Sequence, residues 1–264
     1  MTALALLLCA PLLMWLGQAA LLRATATPMR WQLGGSDLPD RVKAGNRVIL
    51  NVVMIGILVA YPLLRGVSPI AYYAAFFPFG EGPAQLAAGL AMSVLYLALL
   101  YAAWGITDNV RFSVRHSARK LTRRLAFVPL MSIGAATIEE LLFRAMLLAG
   151  LLESFPARVA LPIGVFCFAA AHYVRSVKRY WTFPGHLALG SLFCVAFLCT
   201  GNLWLSIGLH AGGILMLMGL RPFVRYVGPS WLVGASIFPY AGVVGFAALV
   251  LMTINVWLRF GGNA

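Results

Sequence analysis

The chain has 264 residues, 62% of them hydrophobic and only 10% charged, against about 25% charged in an ordinary soluble domain. A water-soluble fold of this size cannot hide so much apolar chain, so a soluble enzyme or binding module is excluded and the solvent is a bilayer. The formal charge of +13 is first a matter of membrane topology, because Lys and Arg gather on one side of a membrane, and no nucleic-acid partner is expected.

Apolar stretches recur near residues 3–22, 46–64, 84–104, 125–150, 158–174, 186–200, 202–220 and 235–258, most of them near the twenty or so residues needed to cross a hydrocarbon core. The expected fold class is all-α, a polytopic transmembrane helical bundle of about eight spans, with the fifth and sixth short for a full crossing. The first stretch reads as a retained span: no basic segment precedes it, and Leu8 stands before Cys9 where a lipoprotein signal wants a small residue. Cys9, Cys167, Cys194 and Cys199 show no C-x-x-C spacing and are expected to be free thiols.

The connections alternate in charge. Arg23, Arg30, Arg41, Lys43 and Arg47 follow the first span. Arg111, Arg115, Arg119, Lys120, Arg123 and Arg124 follow the third, Arg175, Lys178 and Arg179 the fifth, and Arg221 and Arg225 the seventh. These are sixteen of the twenty basic residues, while the opposite side holds Arg65, Arg158 and Arg259. The bias puts both termini outside. With no organellar address evident, the plasma (inner) membrane of a bacterium is the expected location. Arg111, Arg115 and Arg119 are spaced for one face of a surface helix against anionic lipid; a topogenic basic loop is the competing reading and is favoured. Along the chain, residues 1–124 form N-terminal spans with a basic connection, 125–220 a core carrying the chemistry, and 221–264 a C-terminal span.

Of seven acidic residues, Asp37, Asp40, Glu81, Asp108 and Glu153 fall in connections or at span ends. Glu139 and Glu140 instead sit in the middle of an apolar run, where each ionisable group costs about 2.5 to 3.5 kcal/mol by insertion scales. Helix neighbours are rotated by about 100° and residues four apart share a face. Glu140 is therefore expected to pair with Arg144 as a structural ion pair, leaving Glu139 chemically available. His172 and His210 lie in or at the edge of other apolar spans, with Phe168 and Ser206 respectively four residues before them. Phe168 is positioned to pack on one imidazole and Ser206 to hydrogen-bond the other. Two histidines and a carboxylate pair on three spans are costly in lipid unless they converge on an internal cavity.

The ordered set Glu139-Glu140-Leu-Leu-Phe143-Arg144, Phe168-x-x-x-His172 and His210 in a Gly-rich helix resembles the three motifs of the CPBP family, which includes CAAX prenyl endopeptidases of the Rce type and bacterial Abi-like relatives. The resemblance covers about residues 125–218 and implies a glutamate-dependent intramembrane endopeptidase acting on membrane-associated or lipidated substrates. By position, Glu139 would activate water with His172 assisting, His210 would polarise the scissile carbonyl or stabilise the oxyanion, and Glu140 and Arg144 would support the site. A carboxylate withdrawn from water suits the first task and imidazole donors the second. The span order puts His172 near the cytoplasmic end. The chain departs from its relatives at Ile214, where Asn or Asp is usual. Asn202, Ser206 or an amide freed near Gly212-Gly213 would have to supply the missing donor.

No cofactor is expected from the resemblance. Zinc is the alternative, with Glu139, His172 and His210 as a three-ligand set and water in the fourth position. Two other functions compete: a proton-coupled transporter using the same ionisable groups, and a noncatalytic scaffold or immunity protein of the same fold. The expected partners are the bilayer and a membrane-associated peptide or protein.

Overall fold

A computed structural model describes residues 1–35, 37–114, 116–174, 180–235 and 238–263. Arg115, Arg175, Lys178 and Arg179, counted above among the basic connections, lie outside the described residues. Helices dominate: α1 Thr2–Ala24, α2 Asp40–Leu64, α3 Pro69–Ala74, α4 Gly82–Ile106, α5 Ala118–Glu140, α6 Ala149–Leu152, α7 Ala157–Ala171, α8 Phe183–Thr200, α9 Trp204–Leu220, α10 Ser230–Val233 and α11 Val243–Phe260. Six helical runs among the described residues are long and apolar enough to cross a membrane: Thr2–Ala24, Asp40–Leu64, Gly82–Ile106, Ala118–Leu152, Tyr180–Thr200 and Val243–Phe260. With the shorter apolar helices α7 and α9 they account for the eight apolar stretches. The protein is an all-α membrane bundle, and its four cysteines form no disulfide among the described residues.

Local sequence explains where these helices begin and end. Pro39 and Pro156 precede α2 and α7 in extended conformation, and Pro83 and Pro184 occupy the first turns of α4 and α8, where a missing N–H costs nothing. Gly201 ends α8 at φ +64°, the left-handed conformation that favours glycine. The Asn202 side chain then accepts the Trp204 N–H at 3.0 Å to start α9.

Three features differ from the sequence expectation. The helix expected from residue 125 starts at Ala118, because Lys and Arg are good helix formers and the basic stretch simply extends the apolar one. The stretch near 235 is not helical until Val243; Pro239 interrupts it, and a single turn at Pro239–Ala241 stands there instead. A single helical face carrying both Arg111 and Arg119 does not form, since Val110–Phe112 is a strand (β1) paired antiparallel with Val224–Tyr226 (β2).

The chain divides into two packing units. Unit one comprises Met1–Ala74 and Leu141–Tyr180. In it α1 packs on α2, where the buried amides of Gln18 and Asn46 meet: Asn46 Nδ2 donates to Gln18 Oε1 at 3.0 Å, and Gln18 Oε1 also accepts the Gly34 N–H at 2.7 Å. Such side-chain pairing satisfies polar groups that lipid would leave bare. At the other end of α2, Arg65 donates to Glu153 at 2.8 Å and to the Tyr61 hydroxyl at 2.9 Å. The hydrogen bond from Glu153, and next that from Tyr61, hold the guanidinium above its ordinary pKa.

Unit two comprises Ala75–Glu140 and Trp181–Ala264. Its centre is the close parallel contact of α4 with α9. A Cβ on Gly89 would stand 2.5 Å from the Leu205 carbonyl oxygen, and one on Gly208 would strike the Leu86 carbonyl oxygen. Without side chains at these points the two backbones approach closely, as small residues allow in membrane helices. Ser93 Oγ donates to the Leu209 carbonyl at 2.6 Å across the same contact, which fixes the turn that carries His210. At one end of this pair Leu97, Leu100, Tyr101, Trp104, Val110, Val224 and Val233 form an apolar cluster that seats the β1–β2 ribbon.

Candidate active site

Glu139 and Glu140 are the last two residues of α5. From Leu141 to Leu148 the helix is wound as a π-helix, a rare geometry that recurs at functional sites. The division between the two units falls at the same point, between Glu140 and Leu141. The expected Glu140–Arg144 pair spans this change of winding, with Glu140 in unit two and Arg144 in unit one.

In unit two, Glu140 is fully buried and its Oε1 accepts from His210 Nδ1 at 2.8 Å. An ionised carboxylate can only accept, so this bond puts a proton on Nδ1 and turns Nε2 the other way. Nε2 faces Glu139, whose Oε2 is 3.7 Å away. That gap exceeds a hydrogen bond, and Glu139 Oε2 is buried with no hydrogen-bond partner among the described residues. The Glu139 side chain keeps 28% exposure against 0% for Glu140, so Glu139 is the more open of the two carboxylates. Phe193 on α8 stacks on the His210 ring, centroids 4.6 Å apart at 20°. With Glu140 on one nitrogen and Phe193 on one face, the imidazole is oriented from two directions.

In unit one, Phe168 is fully buried on α7, with the Arg144 guanidinium carbon 4.4 Å from its ring centroid. Phe143 meets the same ring edge-on at 5.3 Å. His172, the residue that ends α7, is partly buried. Its Nδ1 donates to the Phe168 carbonyl at 2.9 Å. The Phe168 ring packs beside it at 4.8 Å. Within unit one Arg144, Phe168 and His172 thus lie together, and within unit two so do Glu139, Glu140, His210 and Phe193.

Ser206 does not serve His210. Its hydroxyl donates to the Leu203 carbonyl at 3.1 Å, because a serine near a helix start finds a backbone acceptor one turn back. Asn202 is likewise committed to the start of α9, with Nδ2 donating to the Thr200 carbonyl at 3.0 Å. Helix α9 runs unbroken through Gly212-Gly213, so no amide is released there, and Ile214 one turn after His210 offers no donor. Phe193 is the site neighbour that sequence reasoning missed, since nothing marks it among the many apolar residues of α8. His186 is buried in unit two with Nδ1 on the Thr182 carbonyl at 3.0 Å and the Tyr240 hydroxyl 3.2 Å from Nε2. Among the described residues no group of three or more His, Cys, Asp or Glu side chains is arranged to hold a metal ion.

Fold and clusters together define a multispanning helical membrane protein with two carboxylates and a histidine gathered at one point within its bundle. Residues 121–216 match the family model of the Rce1-like type II CAAX prenyl endopeptidases, and on that stretch the chain is similar to the CPBP family of membrane proteases, which are intramembrane endopeptidases of the CAAX type. The match includes Glu139, Glu140, Arg144, Phe168, His172 and His210. No curated protein and no solved structure gives a match.

Proposed function

We propose that this protein is a glutamate-dependent intramembrane endopeptidase that hydrolyses peptide bonds of membrane-associated or lipidated substrates. The observation that carries the reading is the Glu140–His210–Glu139 cluster, within the stretch that matches an endopeptidase family.

Glu139 is the general base. It takes a proton from water as the water oxygen attacks the scissile carbonyl carbon, and the same proton passes to the leaving amine. His210, protonated on both nitrogens, keeps Nδ1–H on Glu140 and donates Nε2–H to the carbonyl oxygen as it becomes an oxyanion. Glu140 thus holds the imidazole in orientation and offsets its charge, the part a buried carboxylate plays behind a catalytic histidine. With Ser206 and Asn202 bonded to backbone and Ile214 apolar, His210 is the side-chain donor left for that oxyanion. His172 is proposed to assist Glu139. Arg144 and Phe168 are supporting residues that fix His172.

No metal is required for these steps. A chelator is expected to leave the rate unchanged; loss of activity that zinc restores would make Glu139, His172 and His210 ligands instead. The location proposed is a bacterial inner membrane, with substrates reaching the site from the cytoplasmic side.

The deciding experiment compares peptide termini of membrane proteins in cells carrying wild type, a null allele and Glu139→Gln at matched abundance. Termini that require Glu139 identify proteolysis and substrate together. Identical termini in all three strains, under conditions where the null has a phenotype, overturn the protease. Glu139→Ala then separates the remaining readings: a scaffold keeps its phenotype and a proton-coupled transporter loses it.

A further inference from the structure

The register of the β1–β2 ribbon sets Arg111 directly opposite Arg225. The Ser113 N–H donates to the Phe223 carbonyl at 2.8 Å and the Val227 N–H to the Asn109 carbonyl at 2.9 Å. These bonds flank the arginine pair and, by alternation, place it at a hydrogen-bonded position, where Cα atoms are about 5.5 Å apart and both side chains leave the same face. Val110 and Val224 turn into the apolar cluster beneath, so the two guanidiniums point outward, and both residues are exposed.

Like charges directly opposed in a ribbon are destabilising, and acidic residues are scarce in this part of the sequence. Asp108 is the only acidic residue between Glu81 and Glu139, and none occurs after Glu153. None of the ion pairs among the described residues involves Asp108, Arg111 or Arg225. More positive charge gathers at the same end. The ribbon leaves the C-terminal ends of α4 and α9, and Arg124 donates to the Met218 carbonyl at 3.2 Å, which brings in the basic start of α5.

The surroundings decide which anion fits. Within or shortly after the two strands in the chain, Phe112, Val114, Val227 and Trp231 are 56%, 71%, 49% and 64% exposed. Apolar and aromatic groups interleaved with cations at the end of membrane helices belong at the boundary between headgroups and acyl chains, not in bulk water. We propose that Arg111 and Arg225 jointly clamp the phosphate of an anionic phospholipid at the basic membrane face, supplying forked donors that match phosphate oxygens. The lipid is the counter-charge that the ribbon lacks, and it holds β1 to β2.

The test uses the full chain in detergent with phosphatidylglycerol or phosphatidylcholine, lipid retention being read by native mass spectrometry and thermal stability in parallel. Wild type is expected to retain phosphatidylglycerol preferentially and to gain thermal stability from it. A basic side chain near a charged membrane surface contributes about a fivefold preference, so Arg111→Gln with Arg225→Gln should lower retention by roughly twentyfold. Arg41→Gln with Arg47→Gln, on another basic connection, should leave it unchanged. Arg225→Glu guards against misfolding: it puts opposite charges across the ribbon, so the lipid-free protein should melt no lower than wild type while its lipid preference disappears. The proposal is overturned if Arg225→Glu still retains phosphatidylglycerol as wild type does, if the two double variants lose it equally, or if a soluble acidic peptide stabilises the protein where phosphatidylglycerol does not.

Discussion

Glu140 and His210, seventy positions apart in the sequence, are joined by a 2.8 Å hydrogen bond between Oε1 and Nδ1 inside the apolar bundle. The bond fixes which imidazole nitrogen faces Glu139, so a residue that touches no reactant decides what the histidine can do. Glu140→Gln keeps the shape but removes the charge and permits the opposite ring orientation. Turnover of a substrate found by terminus mapping should fall on the order of a hundredfold or more, with KM little changed, because orienting groups of this kind act on the chemical step. Activity within a few-fold of wild type at equal abundance would assign Glu140 a structural role only.

Ser206→Ala should be close to silent in turnover. Its hydroxyl is bonded to the Leu203 carbonyl, and its loss removes one helix-start contact worth about 1 kcal/mol. A drop in kcat of a hundredfold without a drop in melting temperature would show that the hydroxyl reaches the oxyanion during the reaction.

Gly208→Leu should be severely destabilising. A Cβ there collides with the Leu86 carbonyl oxygen, which is backbone and cannot swing aside, so α4 and α9 must separate. The cost of overpacking is typically about 1 to 3 kcal/mol, and His210, two residues on, moves with its helix. A lower melting temperature in detergent is expected together with lost cleavage. Gly213→Leu, where an added Cβ meets nothing within 4 Å, should be tolerated.

Tyr72 and Tyr73 on α3 give a pH signature outside the spans. Burial pushes both phenols above their ordinary value of 10.0. Tyr72 is also tied to the Ala145 carbonyl at 2.8 Å and Tyr73 to the Leu58 carbonyl at 3.0 Å. A folded-state pKa raised above the unfolded one gives stability that is complete below about pH 10 and is lost as pH climbs toward the folded value. Stability should therefore be flat through neutral pH and decline above about pH 10, less steeply in the Tyr72→Phe, Tyr73→Phe double variant. Phenolate absorbance near pH 10 that folded wild type shows and the folded double variant lacks would contradict this.

Hydrophobic length and charge bias were enough to read the membrane class and the eight apolar stretches, because crossing a bilayer constrains composition directly. The costly residues were legible for the same reason: carboxylates and imidazoles in apolar runs stand out against their surroundings, and their order carried the family resemblance. Partners were harder. A π-helical turn beginning at Leu141 is invisible to a pattern that assumes 3.6 residues per turn. Phe193 carried no signal, since its role depends on a ring from another helix. The ribbon that opposes Arg111 to Arg225 was hidden as well, because each strand is three residues long and its partner lies more than a hundred positions away.

By itself the sequence determined that this chain lives in a bilayer and which side chains are too expensive to be there without a task. Only the tertiary structure decided which of them meet: His210 with Glu140 and Glu139, His172 with Phe168, Arg144 over the Phe168 ring. The cost of burying a polar group is a property of that residue and its local run, whereas the contact that offsets the cost is set by helix packing between segments far apart in the chain.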